Sequence, residues 1–253
     1  MDIEVGRRGA ILSIGFNRPE KKNALTAAMY SAMADALAAA GADSEVRVVL
    51  FHGSRAAFTA GNDLEDFSQR PPTGEDAPVF RFLMAVARAT KPLVAAVNGP
   101  AVGLGTTLLL HCDLVYAGED ARFSMPFTRL GLVPEFGSSY LLPLIAGYQR
   151  AAELLLLGEP FDARAAHEAG FVTRVVPADD ALEAGWAGAE KLARLPARAI
   201  QLTRSLLKSA HREAIERQLH TEGAHFRAML GEPAAREALA AFLEKRKPRE
   251  NLP

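Results

Sequence analysis

Two glycine-bearing turns and one isolated carboxylate are the places where this chain could do chemistry. The first turn is Ala57-Phe58-Thr59-Ala60-Gly61-Asn62-Asp63-Leu64, a few residues beyond the apolar run Val48-Phe51. The second is Asn98-Gly99-Pro100-Ala101-Val102-Gly103-Leu104-Gly105, which follows Leu93-Val97 and runs into the apolar stretch Thr106 to Leu110. Glycine lets a backbone approach a ligand closely, and the first N–H groups of a helix have no partner within it. Two such turns side by side could aim two N–H groups at one oxygen, which is what holding the charge of an oxyanion or enolate requires. The same residues suit a plainer role, with Gly61, Gly103 and Gly105 serving tight turns and Asn62 or Asp63 capping a helix. The carboxylate is Glu135, in Leu132-Val133-Pro134-Glu135-Phe136-Gly137-Ser138-Ser139. Apolar neighbours disfavour the charged form, so its pKa should rise toward the range useful in proton transfer. Its plainer role is that of a first-turn acid favoured by a helix macrodipole.

Other candidates carry less. The six histidines are scattered without metal-ligand spacing, and His111 beside Cys112 reads as a helix end rather than a catalytic dyad. Gly103-Leu104-Gly105 lacks the later glycine of a dinucleotide fingerprint, and Ser138-Ser139 lacks the nucleophile-elbow pattern. No metal site is expected.

The elements that must position these residues alternate. Ile11 to Phe16, Val46 to Phe51 and Leu93 to Val97 read as strands, the last two as nearly continuous apolar runs. Between them, Thr26 to Ala40 and Val79 to Ala89 have apolar positions at helical spacing, with Thr26 as N-cap and Gly41 as C-terminal stop. Strand and helix in alternation predict an α/β fold with parallel strands covered on both faces. Gln69 to Pro78 is polar and rich in proline and reads as a surface loop. From about Asp179 the pattern becomes helical, with Ala181 to Leu195, Ala197 to Ala210, Arg212 to Leu230 and Pro233 to Lys245 separated by Pro196 and Gly231-Glu232-Pro233. The chain therefore divides into an α/β core over 1–195 and a helical region over 196–253 that either packs on the core or serves oligomerisation by reaching a neighbouring subunit.

Composition excludes several classes of function. The 253 residues are 49% hydrophobic and 23% charged, and Lys+Arg 29 against Asp+Glu 30 leaves a net charge of -1, so no broad basic face for nucleic acid is implied. A single cysteine rules out a disulfide framework. No apolar run approaches the ~20 residues of a membrane span. The start, Met-Asp-Ile-Glu-Val, has no secretory pattern, and a soluble, cytoplasmic protein is expected.

In order and spacing, several segments resemble the crotonase (enoyl-CoA hydratase/isomerase) superfamily. They are Asn17-Arg18-Pro19-Glu20-Lys21-Lys22-Asn23-Ala24-Leu25, Phe58 to Leu64, Lys91-Pro92 to Gly105, Cys112-Asp113-Leu114, and Phe242-Leu243-Glu244-Lys245-Arg246-Lys247-Pro248. The resemblance implies a spiral of ββα units with a C-terminal helical region. It implies an acyl-CoA thioester as substrate, no cofactor beyond the CoA the substrate carries, and a homotrimer or dimer of trimers. It places the oxyanion-hole amides at Asn62 and Leu104. Lys22 and Ala24 match positions near the CoA nucleotide, and Ala60, Asp63 and Leu64 match the pantetheine and acyl path. Phe242 and Lys245 match a C-terminal helix that approaches the CoA of a neighbouring subunit.

The two glutamates of the superfamily's hydratases are matched here by Thr107 and Phe127, neither of which exchanges a proton at neutral pH. The stretch Pro126 to Gly131, then Pro134-Glu135 and Gly137-Ser138-Ser139-Tyr140, is similar to the peroxisomal-type Δ3,Δ2-enoyl-CoA isomerases. In that subgroup the glutamate matching Glu135 is the sole acid/base. The implied activity is transfer of a double bond from Δ3 to Δ2. Two alternatives stay open: a hydratase or an isomerase of ring-derived acyl-CoA esters, and a crotonase-fold protein that binds acyl-CoA without turnover.

Overall fold

The structure is a computed structural model that describes residues 1–69, 74–244 and 246. Strands β1 (Ile3–Arg8) and β2 (Ile11–Phe16) form an antiparallel hairpin. Helix α1 (Ala27–Ala42) follows, and the Thr26 side chain accepts a hydrogen bond from the Met29 amide at its start. Strand β3 (Val48–His52) returns parallel to β2. Helices α2 (Leu64–Gln69) and α3 (Pro78–Ala87) lead to β4 (Leu93–Val97), parallel to β3. Next come β5 (Pro100–Val102), the short helix α4 (Leu104–Thr107), β6 (Leu114–Gly118) and β7 (Arg122–Ser124). Helices α5 (Ser138–Ala146) and α6 (Tyr148–Ala152) precede β8 (Phe161–Asp162), α7 (Ala163–Glu168) and β9 (Arg174–Val176). Four helices complete the described chain: α8 (Ala181–Arg194), α9 (Ala197–Ser209), α10 (Arg212–Met229) and α11 (Pro233–Leu243).

The strands form a six-stranded sheet in the order β1-β2-β3-β4-β6-β9 and a three-stranded sheet in the order β5-β7-β8. Along β3 and β4 successive side chains point to opposite faces, and both faces are buried. Val48, Leu50, Val94 and Ala96 pack with Ala189 and Trp186 of α8. Val49, Phe51, Leu93, Ala95 and Val97 join the larger core on the other face. That double burial is why these strands read as continuous apolar runs. Helix α10 packs on α3 and α5, so the C-terminal region contributes to the body of the fold.

Several boundaries differ from the sequence reading. Helix α1 runs through Gly41, and Asp43 is its C-cap, with its amide on the Ala39 carbonyl. A glycine in an exposed last turn costs only about 1 kcal/mol relative to alanine, too little to end a helix that is otherwise packed. Strand β3 starts at Val48 because the Val46 amide turns back to the Asp43 carbonyl. The stretch from Thr106 continues from α4 as a 3-10 turn over Leu108–His111. Gln69 and Pro78 fall in helices, and the middle of the expected loop, 70–73, lies outside the described residues. No helix among the described residues is long and apolar enough to cross a membrane.

Candidate active site

The two glycine turns lie against each other. Thr59 and Ala101 form a parallel bridge: the Thr59 amide donates to Pro100 O at 3.1 Å and the Val102 amide to Thr59 O at 3.0 Å. The Thr106 hydroxyl donates to Ala101 O at 2.6 Å, and the Thr59 hydroxyl to Asn23 O at 2.6 Å, which locks both turns from behind. Gly61 adopts φ 84, and a Cβ there would sit 2.7 Å from Val102 O. Only glycine meets both conditions without displacing the second turn. Beyond these contacts, the amides of Asn62 and Leu104 have no acceptor among the described residues. Leu104 opens α4, where an N–H without an intrahelical partner is expected.

A second ladder supports the first turn from the N-terminal side. The Ala60 amide donates to Lys22 O at 2.9 Å, Leu25 to Gly61 O at 2.8 Å, and Asp63 to Leu25 O at 2.9 Å. Four sequence-identified positions, Lys22, Ala24, Ala60 and Asp63, are thereby brought onto two short adjoining segments, the first of them left-handed at Lys22 and Asn23. The Lys22 side chain is exposed, Ala24 and Ala60 are half-buried, and Leu64 opens α2, also half-buried. The Asp63 carboxylate is engaged by the protein itself: it pairs with Arg18 and accepts from the amides of Glu65 at 3.0 Å and Asp66 at 3.2 Å. Burial pushes that carboxyl up, but Arg18 and the two amides together hold it below its ordinary value. Phe242 lies on the backbone of α11; its side chain and the whole of Lys245 lie outside the described residues.

Glu135 sits on a turn just before α5. It is buried, and its Oε1 has no hydrogen-bond partner among the described residues. Burial pushes its carboxyl up to about 8, and the charge of Glu222 adds to the rise. The next two residues, Phe136 (φ 63) and Gly137 (φ 68), are both left-handed. For phenylalanine that conformation costs roughly 1–2 kcal/mol, so the surroundings must enforce it. They do so at several points. The Phe136 ring stacks on His111 with centroids 4.2 Å apart, and Phe136 O accepts from His111 Nε2 at 2.8 Å. The Ser138 hydroxyl donates to Glu135 O at 2.6 Å. Burial holds the His111 imidazole down to about 3, so the ring is neutral and carries its proton on the nitrogen facing that carbonyl. His111 thus acts as a buried prop for the turn, and Cys112, pushed up to about 12 by burial, is inert as a thiolate.

Asn62 and Glu135 line one cavity of about 40 Å³, walled by Phe67, Phe80, Phe136 and Phe226. Helix α10 closes it with Leu219, Gly223 and Arg227. A larger groove of about 460 Å³ lies outside, across Phe80, floored by Ala34, Ala38, Met84 and Ala85. Of these two, only the inner cavity is lined by Glu135. Tyr30 reaches this region from α1, and its phenol donates to Asn62 Oδ1. Burial, with the Glu135 charge, keeps that phenol well above its ordinary pKa, so it stays a donor. Thr107 and Phe127 are buried but absent from the cavity wall; the Thr107 hydroxyl turns to Leu104 O at 3.4 Å.

Sequence reasoning missed three contributors. Asn23 is fully buried, and its side chain bridges Ala57 O, Phe58 O and the Arg18 amide. Tyr30 is the second. The third, Glu222, approaches the Glu135 turn from α10. Leu219, Glu222 and Phe226 share the buried face of that helix, and an acid on an apolar stripe is a signal the sequence does carry.

The sequence profile of the family described as "Enoyl-CoA hydratase/isomerase" matches residues 6–250. The 1,2-epoxyphenylacetyl-CoA isomerase of Escherichia coli K12 is 36% identical over 247 residues, covering 94% of each chain. The enoyl-CoA delta isomerase 2 of Rattus norvegicus is 39% identical over 219 residues, which are 84% of this chain and 56% of that longer protein. The crystal structure of an enoyl-CoA hydratase/isomerase from Pseudoalteromonas atlantica T6c superposes with a TM-score of 0.93 at 42% identity, over 99% of this chain and 100% of that one.

Proposed function

Because the chain belongs to the enoyl-CoA hydratase/isomerase family, we propose that it is an isomerase that moves an acyl-CoA double bond from Δ3 to Δ2, with Glu135 as its sole acid and base. The observation that carries this reading is Glu135 itself, buried, with no partner for its Oε1 among the described residues, in the wall of the cavity that Asn62 also lines. A 3-enoyl thioester has a C2 proton made acidic by both the carbonyl and the double bond. Ionised Glu135 takes that proton; the C–H electrons delocalise into a dienolate, and the thioester oxygen gains negative charge. The amides of Asn62 and Leu104 hold that oxygen. The protonated carboxyl then gives its proton to C4, the electrons settle between C2 and C3, and Glu135 is ionised again. Nothing is gained or lost by substrate or enzyme over the cycle. Each oxyanion donor contributes about 3–4 kcal/mol in well-studied cases, so the hole is the larger electrostatic element.

The test is a side-by-side assay of 3-hexenoyl-CoA and crotonyl-CoA. Conjugation of the first, seen as new ultraviolet absorbance, should outpace hydration of the second. Thr107→Ala and Phe127→Leu should both retain turnover, since neither position supplies a proton; loss of isomerisation in either variant would count against the single-carboxyl reading. Faster hydration of crotonyl-CoA would sink it.

A pH profile follows from the same carboxyl. As a base Glu135 must be ionised, and burial has moved its ionisation up to about 8. kcat/KM should therefore climb as pH rises toward and through about 8, the value the free enzyme carries. A profile already flat from pH ~5 would mean that some other group is the base.

A second reading has a specific observation behind it. The cavity wall is built from four phenylalanine rings, and the Escherichia coli relative isomerises a phenylacetyl-derived thioester by name. On that reading the natural substrate carries a ring, and 4-phenyl-3-butenoyl-CoA should be turned over faster than 3-hexenoyl-CoA. As for assembly, a homotrimer or dimer of trimers remains our proposal; the row Leu202, Leu206 and Leu207 that α9 leaves exposed is consistent with burial against another copy.

A further inference from the structure

We infer that Glu222 is a positioning residue for Glu135: from α10 it clamps the turn that carries the catalytic carboxyl and keeps a negative charge behind it. The inference rests on the proposed role of Glu135 and adds a second carboxylate to it. Glu222 is buried, and both its oxygens are used. Oε2 accepts from the Gly137 amide at 2.6 Å; Oε1 accepts from the Ser139 amide at 2.9 Å and from the Ser139 hydroxyl. Gln218, one turn earlier on α10, donates to the same hydroxyl at 2.8 Å.

These donors are the free N–H groups at the start of α5. A helix usually satisfies them with a Ser, Thr, Asp or Asn at its own N-cap. Here the N-cap is Gly137, held left-handed directly after left-handed Phe136, and no local side chain caps the helix. The Ser138 hydroxyl is already committed to Glu135 O. A carboxylate delivered from a distant helix therefore does the capping, and in doing so fixes the direction in which Glu135 leaves the turn.

The charge has a second effect. Burial raises the Glu222 carboxyl to about 7, while the Ser139 hydroxyl and the amides of Ser139 and Gly137 favour its ionised form. With three donors on its oxygens and none on Glu135 Oε1 among the described residues, Glu222 is the first of the two to ionise, and its charge opposes loss of the Glu135 proton. The other polar groups nearby leave this pairing intact. Tyr30 from α1 and the His111 ring are neutral, Tyr140 of α5 is bonded to His211, and His220 of α10 is paired with Glu75. Arg227 of α10 lines the same cavity, and the Glu135 carboxyl is raised all the same. A base that ionises reluctantly is also a willing acid, which suits a residue that must return its proton at C4.

The test compares Glu222→Gln with Glu222→Asp. In Glu222→Gln the rising limb of kcat/KM should move to lower pH, most visibly above pH ~7 where wild-type Glu222 is ionised, so that the fraction of plateau activity at pH ~7.5 increases roughly two- to threefold, while the plateau itself falls about tenfold through misplacement of Glu135. Glu222→Asp keeps the charge but is too short to span both amides; its plateau should fall while its limb stays in place. A limb that does not move in Glu222→Gln overturns the inference, because a purely structural cap would lower stability alone. Infrared titration of the protonated carboxyl stretches gives a readout independent of turnover and of whether Glu222→Gln folds. The wild type should lose two bands in sequence as pH rises, the later one absent from Glu135→Gln; a single band, or loss of the Glu135 band first, also overturns the inference. Absence of 3-hexenoyl-CoA turnover with both bands present would instead overturn the isomerase reading.

Discussion

Glu135→Gln is expected to lower kcat on 3-hexenoyl-CoA by roughly 10³-fold with little change in KM, since general acid–base groups contribute about 10²–10⁴ and no second carboxyl in this cavity can take over. Glutamine preserves the shape but has no group that can take up or release a proton near neutral pH. The same substitution should stabilise the protein at alkaline pH. With its folded-state pKa raised to about 8 from the ordinary 4.5, Glu135 binds more protons in the folded chain than in the unfolded one across that window. Stability is then highest below the lower value and falls as pH rises through the upper one. Glutamine removes the fall. A variant with a much lower kcat and a higher Tm than wild type at pH ~9 would separate loss of chemistry from loss of structure, the trade-off expected where a buried ionisable group is kept for function. Activity within tenfold of wild type would show that the proton moves through another group.

Gly61→Ala is the second large effect. The added methyl would lie 2.7 Å from Val102 O at a backbone φ of 84. Val102 is followed directly by Gly103 and Leu104, so the clash pushes apart the two segments whose amides are to meet at one oxygen. Loss of one oxyanion donor costs about 10²–10³ in kcat, and a comparable loss is expected here. The left-handed alanine also lowers stability, by roughly 1 kcal/mol or more. Steady-state kinetics beside a melting curve decides the case: a folded variant with more than half of wild-type kcat would mean that these turns do not form the hole.

How much of this was legible in the sequence differs from element to element. β2 and β4 fall on the residues their hydrophobic patterns indicate, because strands buried on one or both faces leave an unambiguous apolar signature. Helix ends were harder, since Gly41 offers a stop that packing overrides. The glycine turns and Glu135 could be picked out because each is a local motif. What the sequence could not reveal is contact across long separations. Tyr30 meets Asn62, and Glu222 meets Gly137 and Ser139, only after the whole chain has folded. The engagement of Asp63 by Arg18 was likewise invisible, because an acid beside a glycine turn looks the same whether it faces a ligand or a neighbouring guanidinium.

Helix α9 differs in kind from the rest of the fold. None of its side chains is buried. It is fastened instead by Arg204 and Lys208, both paired with Asp113, whose carboxylate also accepts from the Leu93 amide at the head of β4. In the isolated chain, detaching this segment exposes little new apolar surface and breaks only a few ionic contacts. Local opening there is expected to need less free energy than melting of the core. The molecule thus combines a body closed by apolar packing with an outer rung moored by charge.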